Sequence, residues 1–144
     1  MEDTVHGTAV TYASRGFLIR GPSGSGKSLL AASLILRGGV LVGDDRVNLS
    51  AQAGKLMAKP TPPLEGLIEI RGRGLLAIAY ESSTHIAAVL DIIPAASLER
   101  YPEEHELSTE ILGIKLVRQP IPDRLEHALI LVESLCGKLG GSGI

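Results

Sequence analysis

The stretch FLIRGPSGSGKSLLAASLIL, residues 17–36, decides the fold. It begins with a short apolar run, passes through a loop rich in glycine and serine, and continues as an apolar segment dense in helix-forming residues. This order predicts a buried strand over 17–19, a loop over 21–26 and a buried helix over 28–36. A strand, a glycine-rich loop and a helix in this order form a unit that binds phosphate in α/β domains.

Within this stretch, GPSGSGKS matches the phosphate-loop pattern of a glycine, four residues, a second glycine, a lysine and a serine. Glycines let consecutive backbone N–H groups curl around a phosphate, and the N-terminus of the following helix adds positive potential. The lysine would reach the β- and γ-phosphates, and the serine hydroxyl would ligate magnesium. The alternative is a flexible glycine loop that only joins a strand to a helix. The predicted nucleotide-binding residues are Gly21, Pro22, Ser23, Gly24, Ser25, Gly26, Lys27 and Ser28.

Two aspartates, Asp44 and Asp45, follow a second apolar run over 40–42, one helix after the loop. If that strand lies beside the strand that feeds the loop, both carboxylates reach the phosphate edge of the sheet. One would then hold the magnesium shell, and the other would accept a proton from an attacking hydroxyl. The alternative is a turn with two solvated aspartates.

The segment EIRGRG, residues 69–74, sets one acid and two arginines between glycines near a strand end. Glu69 could complete the metal site, and Arg71 and Arg73 could grip a phosphate-bearing partner. The alternative is a surface hairpin with paired charges.

The rest of the chain predicts a strand-rich α/β domain with few helices. Strands are expected over 8–12, 67–70, 75–79, 86–93 and 111–117. Prolines at 60, 62 and 63 predict a loop in the second half of 48–63, and Asp123 is expected to cap a final helix beginning near Leu125. We find no internal repeat, so a single domain over 1–144 is expected.

The composition excludes several classes of protein. A formal net charge of −2 and only 3% aromatic residues offer neither a basic patch nor a stacking platform for nucleic acid. Cys136 is the only cysteine, which excludes an intrachain disulfide and a cysteine-based zinc cluster. The start, MEDTVHG, is not a secretory signal, and no apolar run approaches the roughly 18 residues of a transmembrane helix. We therefore expect a cytoplasmic protein without nucleic-acid or membrane partners.

Together, the motifs resemble those of the HPr kinase/phosphorylase family. That family pairs a GxxGxGKS loop with an Asp-Asp pair one helix later and a signature reading EIRG-x-G. Here they stand as GPSGSGKS at 21–28, VGDDRV at 42–47 and IEIRGRG at 68–74, and His6 with Gly7 matches the family's His-Gly pair. The resemblance covers most of residues 5–135.

The resemblance implies a P-loop kinase core related to phosphoenolpyruvate carboxykinase, in the short form met in proteobacteria that lacks the N-terminal domain of longer members. It implies an ATP- and magnesium-dependent serine kinase that acts on an HPr-type phosphocarrier of the phosphotransferase system. The reverse phosphorylase reaction, in which phosphate attacks phosphoserine and forms pyrophosphate, would be a further activity. Family members are usually hexamers, so a homo-oligomer is expected.

Residue by residue, the resemblance makes Asp45 the general base, with His6, Lys27 and Asp44 completing the catalytic set. Ser28, Asp44 and Glu69 become candidates for the magnesium environment, and Arg100 lies roughly where the family has an arginine near the active site. Two other functions remain open: a small-molecule P-loop kinase, and a non-catalytic ATP-binding regulator.

Overall fold

The computed structural model describes all 144 residues, which form eleven strands, two α-helices and two short 3₁₀ segments. The strands are β1 Glu2–His6, β2 Thr8–Tyr12, β3 Arg15–Arg20, β4 Val40–Gly43, β5 Arg46–Gln52, β6 Lys55–Pro60, β7 Leu67–Ile70, β8 Gly74–Ala77, β9 Thr84–Ile93, β10 Ser108–Ile111 and β11 Ile114–Pro122. The helices are α1 Lys27–Leu36 and α2 Leu125–Leu135, and the 3₁₀ segments are Ala95–Ser97 and Glu104–Leu107. These elements confirm the strand-rich α/β class. No helix has the length and apolar character needed to cross a membrane.

Nine strands belong to one sheet that has two parts joined by β9. The first part runs in the order β10, β11, β9, β3, β2, β4; β11, β9 and β3 are parallel, and β2 is antiparallel to both β3 and β4. The second part, β1, β5 and β6, is antiparallel and meets β9 only at Thr84 and His85. β7 and β8 form a separate hairpin.

The strand that feeds the phosphate loop is buried on both faces. Phe17 and Ile19 of β3 pack in a core beneath the two helices, whereas Leu18 packs in a second core against β5 and β6. Side chains alternate across a strand, so a continuous apolar run fits a strand covered on both sides. The helices, the central strands and the antiparallel part of the sheet thus form three layers that bury β3.

Two predictions about the strands were wrong. The region expected to be a loop contains β6, in which Leu56, Ala58 and Pro60 are buried and their neighbours are more exposed. The single strand expected over 111–117 is a hairpin of β10 and β11, whose turn at Leu112 and Gly113 has positive φ at both residues.

β11 extends five residues beyond the predicted end at Val117 and includes two prolines. Pro120 and Pro122 both pair with β9, beyond the last residue of β11 that pairs with β10, Val117. A proline has no N–H to donate, but a strand with one unpaired side tolerates this. β11 therefore reaches the same edge of the sheet as β3 and β9.

The expected capping role of Asp123 was also wrong. Its Oδ1 atom accepts a hydrogen bond of 2.8 Å from the backbone N–H of Ala95, and α2 begins without a side-chain cap. Asp123 thus fastens the link between β11 and α2 to the 3₁₀ segment that follows β9.

Candidate active site

The phosphate loop connects the end of β3 to the first turn of α1, as the sequence predicted. Gly24 and Gly26 adopt positive φ values of 79° and 102°, and Gly26 is the N-cap of α1. This left-handed backbone is strained for residues with a side chain, so glycine at these two positions lets the chain fold back on itself. The loop then presents backbone N–H groups at the N-terminus of α1.

Lys27 is held across the loop by backbone carbonyl groups. Its buried Nζ atom donates hydrogen bonds to the oxygen of Gly21 at 2.8 Å and of Pro22 at 3.1 Å. An ammonium group has three donors, so one remains for an anion. The positive charge is therefore already in position at the loop before a phosphate enters.

Asp44 is buried where three separate parts of the chain meet. Its carboxylate accepts hydrogen bonds from Ser28 Oγ at 2.8 and 3.0 Å, from Thr8 Oγ1 at 2.8 Å and from the backbone N–H of Glu69 at 3.1 Å. No lysine, arginine or histidine forms an ion pair with it. A buried carboxylate that is hydrogen-bonded but not neutralised by a cationic side chain is suited to receive a cation.

These donors fit magnesium. Ser28 and Asp44 offer adjacent hydroxyl and carboxylate oxygens, and Mg²⁺ prefers oxygen ligands, commonly one or two carboxylates together with substrate phosphates. No group of three or more histidine, cysteine or acidic side chains is assembled anywhere in the chain to enclose a metal. The residues therefore suit a magnesium ion shared with a nucleotide. Glu69 contacts Asp44 through its backbone, so its side chain as a ligand remains a prediction.

Asp45 lies at the apex of a tight turn. The backbone N–H of Arg46 donates to the oxygen of Asp44 at 2.7 Å, and Asp45 itself has a φ of 66°. A non-glycine residue in this conformation costs about 1–3 kcal/mol and is often found at functional sites. Two contacts hold it there: Gly7 N donates to its backbone oxygen at 3.0 Å, and His6 Nε2 lies 3.0 Å from its Oδ1.

The predicted residues largely line one cleft of about 460 Å³, which we call the polar cleft. The members taken from the predictions are His6, Ser23, Gly24, Gly26, Lys27, Ser28, Asp44, Asp45, Glu69 and Arg71. Leu29, Leu64, Leu67 and Leu75 form an apolar wall on the side of the β7–β8 hairpin. Positive groups, carboxylates and hydroxyls thus meet in a space large enough for phosphates and an acceptor group.

Other predicted residues lie elsewhere. Gly21 and Pro22 contribute carbonyl groups to Lys27 but do not line the polar cleft. Arg73 is exposed in the turn between β7 and β8, and Arg100 is exposed between the two 3₁₀ segments, so neither arginine lines it. Thr8, in contrast, was not predicted. The sequence carries no signal for it beyond its position two residues after His6, because threonine is common in strands.

A second space of about 240 Å³, which we call the apolar cleft, lies on the opposite flank of the loop. Gly24 and Gly26 line both clefts, whereas Ser25 lines only this one. Half of the residues around it are hydrophobic and come from α1, the ends of β9 and β11, and the start of α2.

A charged triad links the three parallel strands. Asp91 of β9 accepts two hydrogen bonds from Arg20 of β3, at 2.7 and 2.8 Å, and one from Arg118 of β11. Burial raises the pKa of Asp91, but the hydrogen bonds from the two guanidinium groups outweigh burial and bring the pKa below its ordinary value. The same pairing raises the pKa of Arg20. Asp91 therefore stays ionised at neutral pH and paired with Arg20.

Comparison with known proteins agrees with the motifs. A family model described as HPr Serine kinase C-terminal domain matches residues 1–132. The HPr kinase/phosphorylase of Bordetella pertussis is 49% identical over 124 residues, covering 78% of this chain and 40% of that protein. The HPr kinase/phosphorylase of Caldicellulosiruptor bescii is 34% identical over 139 residues, covering 90% of this chain and 45% of that protein. The chain spans less than half the length of these relatives.

A solved structure supports the same assignment. The structure of the Hpr(Ser) kinase/phosphatase from Coxiella burnetii matches with a TM-score of 0.83 at 26% sequence identity, covering 96% of this chain and 99% of that chain. Motif order, sequence identity and fold thus agree. The chain belongs to the family of the HPr Serine kinase C-terminal domain.

Proposed function

We propose that this chain transfers the γ-phosphoryl group of ATP to a serine hydroxyl of an HPr-type phosphocarrier of the phosphotransferase system. The observation that carries the proposal is the meeting of Lys27, Ser28, Asp44 and Asp45 around one cleft beside a phosphate loop. The names of the relatives supply the acceptor. Since the reaction consumes ATP, we propose that it takes place in the cytoplasm.

The loop and its neighbours bind and orient the phosphates. The backbone N–H groups of the loop and the ammonium of Lys27 hold the β- and γ-phosphates, and Ser28 and Asp44, with Glu69 nearby, hold magnesium. Bound magnesium would supply charge neutralisation on the phosphate oxygens. Positioning and charge stabilisation are the main contributions that a protein makes to phosphoryl transfer.

Asp45 acts as the general base in this proposal. One of its carboxylate oxygens faces His6 and the other has no hydrogen-bonded partner, so the second can take the proton from the serine hydroxyl as its oxygen attacks the γ-phosphorus. The bond to the β-phosphate oxygen breaks, and ADP leaves. In the reverse direction, inorganic phosphate attacks phosphoserine to give pyrophosphate, and Asp45 returns the proton to the serine. His6 is a positioning residue for Asp45.

Exposure around the site favours a protein as the acceptor. The side chains of Asp45 and His6 are 63% and 47% exposed. Leu75 on the rim is 66% exposed. A docking protein would bury this leucine, which is favourable, whereas a small metabolite would leave it in water. Arg71 in the cleft wall, with Arg73 and Arg100 outside it, are proposed contacts to this partner, and a homo-oligomer remains part of the proposal.

The test incubates the protein with γ-labelled ATP, magnesium and the HPr-type carriers of its own organism. We expect label on a carrier serine with the unmodified chain and none with Lys27→Ala. The matched control is Lys55→Ala, which removes an exposed lysine at the start of β6 and should leave labelling intact.

Two results would contradict the proposal. Label on a small metabolite but on no protein would identify a small-molecule kinase. Binding of ATP by calorimetry without any transfer, in the presence of magnesium and a carrier, would identify a regulator.

A further inference from the structure

The apolar cleft has no part in the reaction as described so far. Its rim carries Leu29 of α1 and Leu125 of α2, and buried Ile92 and Ile121 lie deeper. We infer that this cleft binds the nucleoside end of the nucleotide, with the base between Leu29 and Leu125. The inference rests on the proposed function, because it takes the phosphates to lie in the loop.

The direction in which a nucleotide lies follows from which residues line each cleft. Lys27, Ser28 and Asp45 line the polar cleft and do not line the apolar one. The transferred phosphoryl group must meet these residues, so the terminal phosphate points into the polar cleft. Because Gly24 and Gly26 line both spaces, a polyphosphate that crosses the loop leaves its other end at the apolar cleft.

The sheet topology independently supports a ligand at the apolar cleft. β3, β9 and β11 are parallel neighbours, so their C-terminal ends meet at one edge of the sheet. In α/β sheets, ligands bind outside the C-terminal ends of parallel strands. The apolar cleft lies at this edge, where it is lined by Ile92, next to the last residue of β9, and by Pro122, the last residue of β11.

The chemistry of the apolar cleft suits a base and a sugar better than further phosphates. A volume of about 240 Å³ suits part of a ligand, since pockets for whole ligands usually measure about 300–1,000 Å³. Ser25 Oγ is buried without a hydrogen-bond partner, and a ribose hydroxyl or α-phosphate oxygen beside it would satisfy it. Besides Ser25, the polar residues around the cleft are Asp123 and Arg124, which are both exposed, and Asp123 already accepts a hydrogen bond from Ala95. Neither aromatic nor amide side chains line the cleft, so apolar contact would provide most of the binding of the base.

Calorimetry with two ligands tests the inference. Magnesium-ATP carries a nucleoside, whereas magnesium-tripolyphosphate carries only phosphates. We expect Leu125→Ala to weaken ATP binding about tenfold, because it removes apolar contact with the base, and to leave tripolyphosphate binding unchanged. The matched control is Ile130→Ala, an equally simple truncation of an exposed residue on the same helix, outside the cleft. It should change neither affinity.

The outcomes separate this inference from the proposed function. Unchanged ATP affinity in Leu125→Ala, or an equal loss for both ligands, overturns the inference while leaving the phosphate loop as a binding site. If the unmodified chain binds neither ligand, the proposed function fails and the inference falls with it.

A second measurement needs no variant. A photoreactive ATP that carries an azide on the base should attach to the peptide containing residues 121–128. Attachment confined to the β7–β8 hairpin, residues 67–77, would place the base in the polar cleft and overturn the inference.

Discussion

The two clefts on either side of the phosphate loop are built from different parts of the same sheet. The polar cleft lies on the antiparallel side, where β2 brings in Thr8 and the turn after β4 brings in Asp44 and Asp45. The apolar cleft lies on the parallel side, where β9 and β11 end beneath the start of α2. The first flank therefore concentrates the carboxylates and hydroxyls around Lys27, whereas half of the residues that line the second flank are hydrophobic.

This difference separates two tasks that a kinase must perform on one substrate. Groups that polarise the γ-phosphate or accept a proton need fixed charge, whereas holding a flat base needs apolar surface. If each flank has one task, substitutions in the polar cleft should change turnover, and substitutions in the apolar cleft should change ATP affinity.

The largest effect is expected from Asp45→Asn, which removes the proton acceptor and keeps the shape of the side chain. Asparagine tolerates the left-handed backbone at this position, so the turn should persist. We expect the rate of serine phosphorylation to fall about 1,000-fold, within the range known for general bases, with ATP affinity unchanged. Initial rates of carrier labelling measure this, with Asp3→Asn on β1 as the control. Full activity in Asp45→Asn would show that another group takes the proton.

Asp44→Asn should weaken the binding of magnesium. The amide oxygen can still accept hydrogen bonds from Ser28 and Thr8, but the negative charge is lost. We expect the magnesium concentration for half-maximal transfer to rise about 10- to 100-fold. A magnesium titration at saturating ATP measures the change. An unaltered midpoint would remove Asp44 from the metal site.

Asp91→Asn should destabilise the protein, because neither cleft is lined by Asp91 and its role is to fasten the parallel strands. Losing the carboxylate weakens the charged hydrogen bonds to Arg20 and Arg118, which are partly buried, and we expect this to cost about 2 kcal/mol of unfolding free energy at pH 7. Because folding lowers the pKa of Asp91, its contribution is complete at neutral pH and is lost as the pH falls below about 4. Urea unfolding at pH 7 and pH 3 measures the free energy of unfolding of the unmodified chain and of Asp91→Asn. The difference between the two proteins should be smaller at pH 3 than at pH 7. A difference of the same size at both pH values would contradict this account.

The smallest effect is expected from Thr8→Val, which removes one of the donors that hold Asp44. Ser28 and the backbone of Glu69 still hold the carboxylate, so we expect a loss of about 1 kcal/mol in stability. Thr11→Val on the same strand is the matched control, since the Thr11 hydroxyl has only long hydrogen bonds of 3.4 Å. Thermal unfolding should show a lower melting temperature for Thr8→Val than for Thr11→Val. The opposite order would show that Thr8 does not support Asp44.

The parts of the site that the sequence predicted are those fixed by local spacing. The loop, α1 and the aspartates after β4 lie within 25 residues, and their glycines and apolar runs determine the backbone directly. β6 was missed because its three nearby prolines were a stronger signal than the alternation of Leu56, Ala58 and Pro60.

Contacts between distant parts of the chain could not be predicted in this way. Asp123 was expected to cap α2. Its carboxylate instead accepts a hydrogen bond from the backbone N–H of Ala95, 28 residues earlier in the chain. Ser25 and the start of α2, about one hundred residues later, line the same apolar cleft. No local sequence pattern predicts this proximity.

The most direct test of the account compares Asp45→Asn and Leu125→Ala in one set of steady-state rates over a range of ATP concentrations. The account predicts that Asp45→Asn lowers kcat with little change in KM for ATP, whereas Leu125→Ala raises KM about tenfold and has little effect on kcat. Loss of the same kinetic parameter in both variants would contradict the division of tasks between the two clefts.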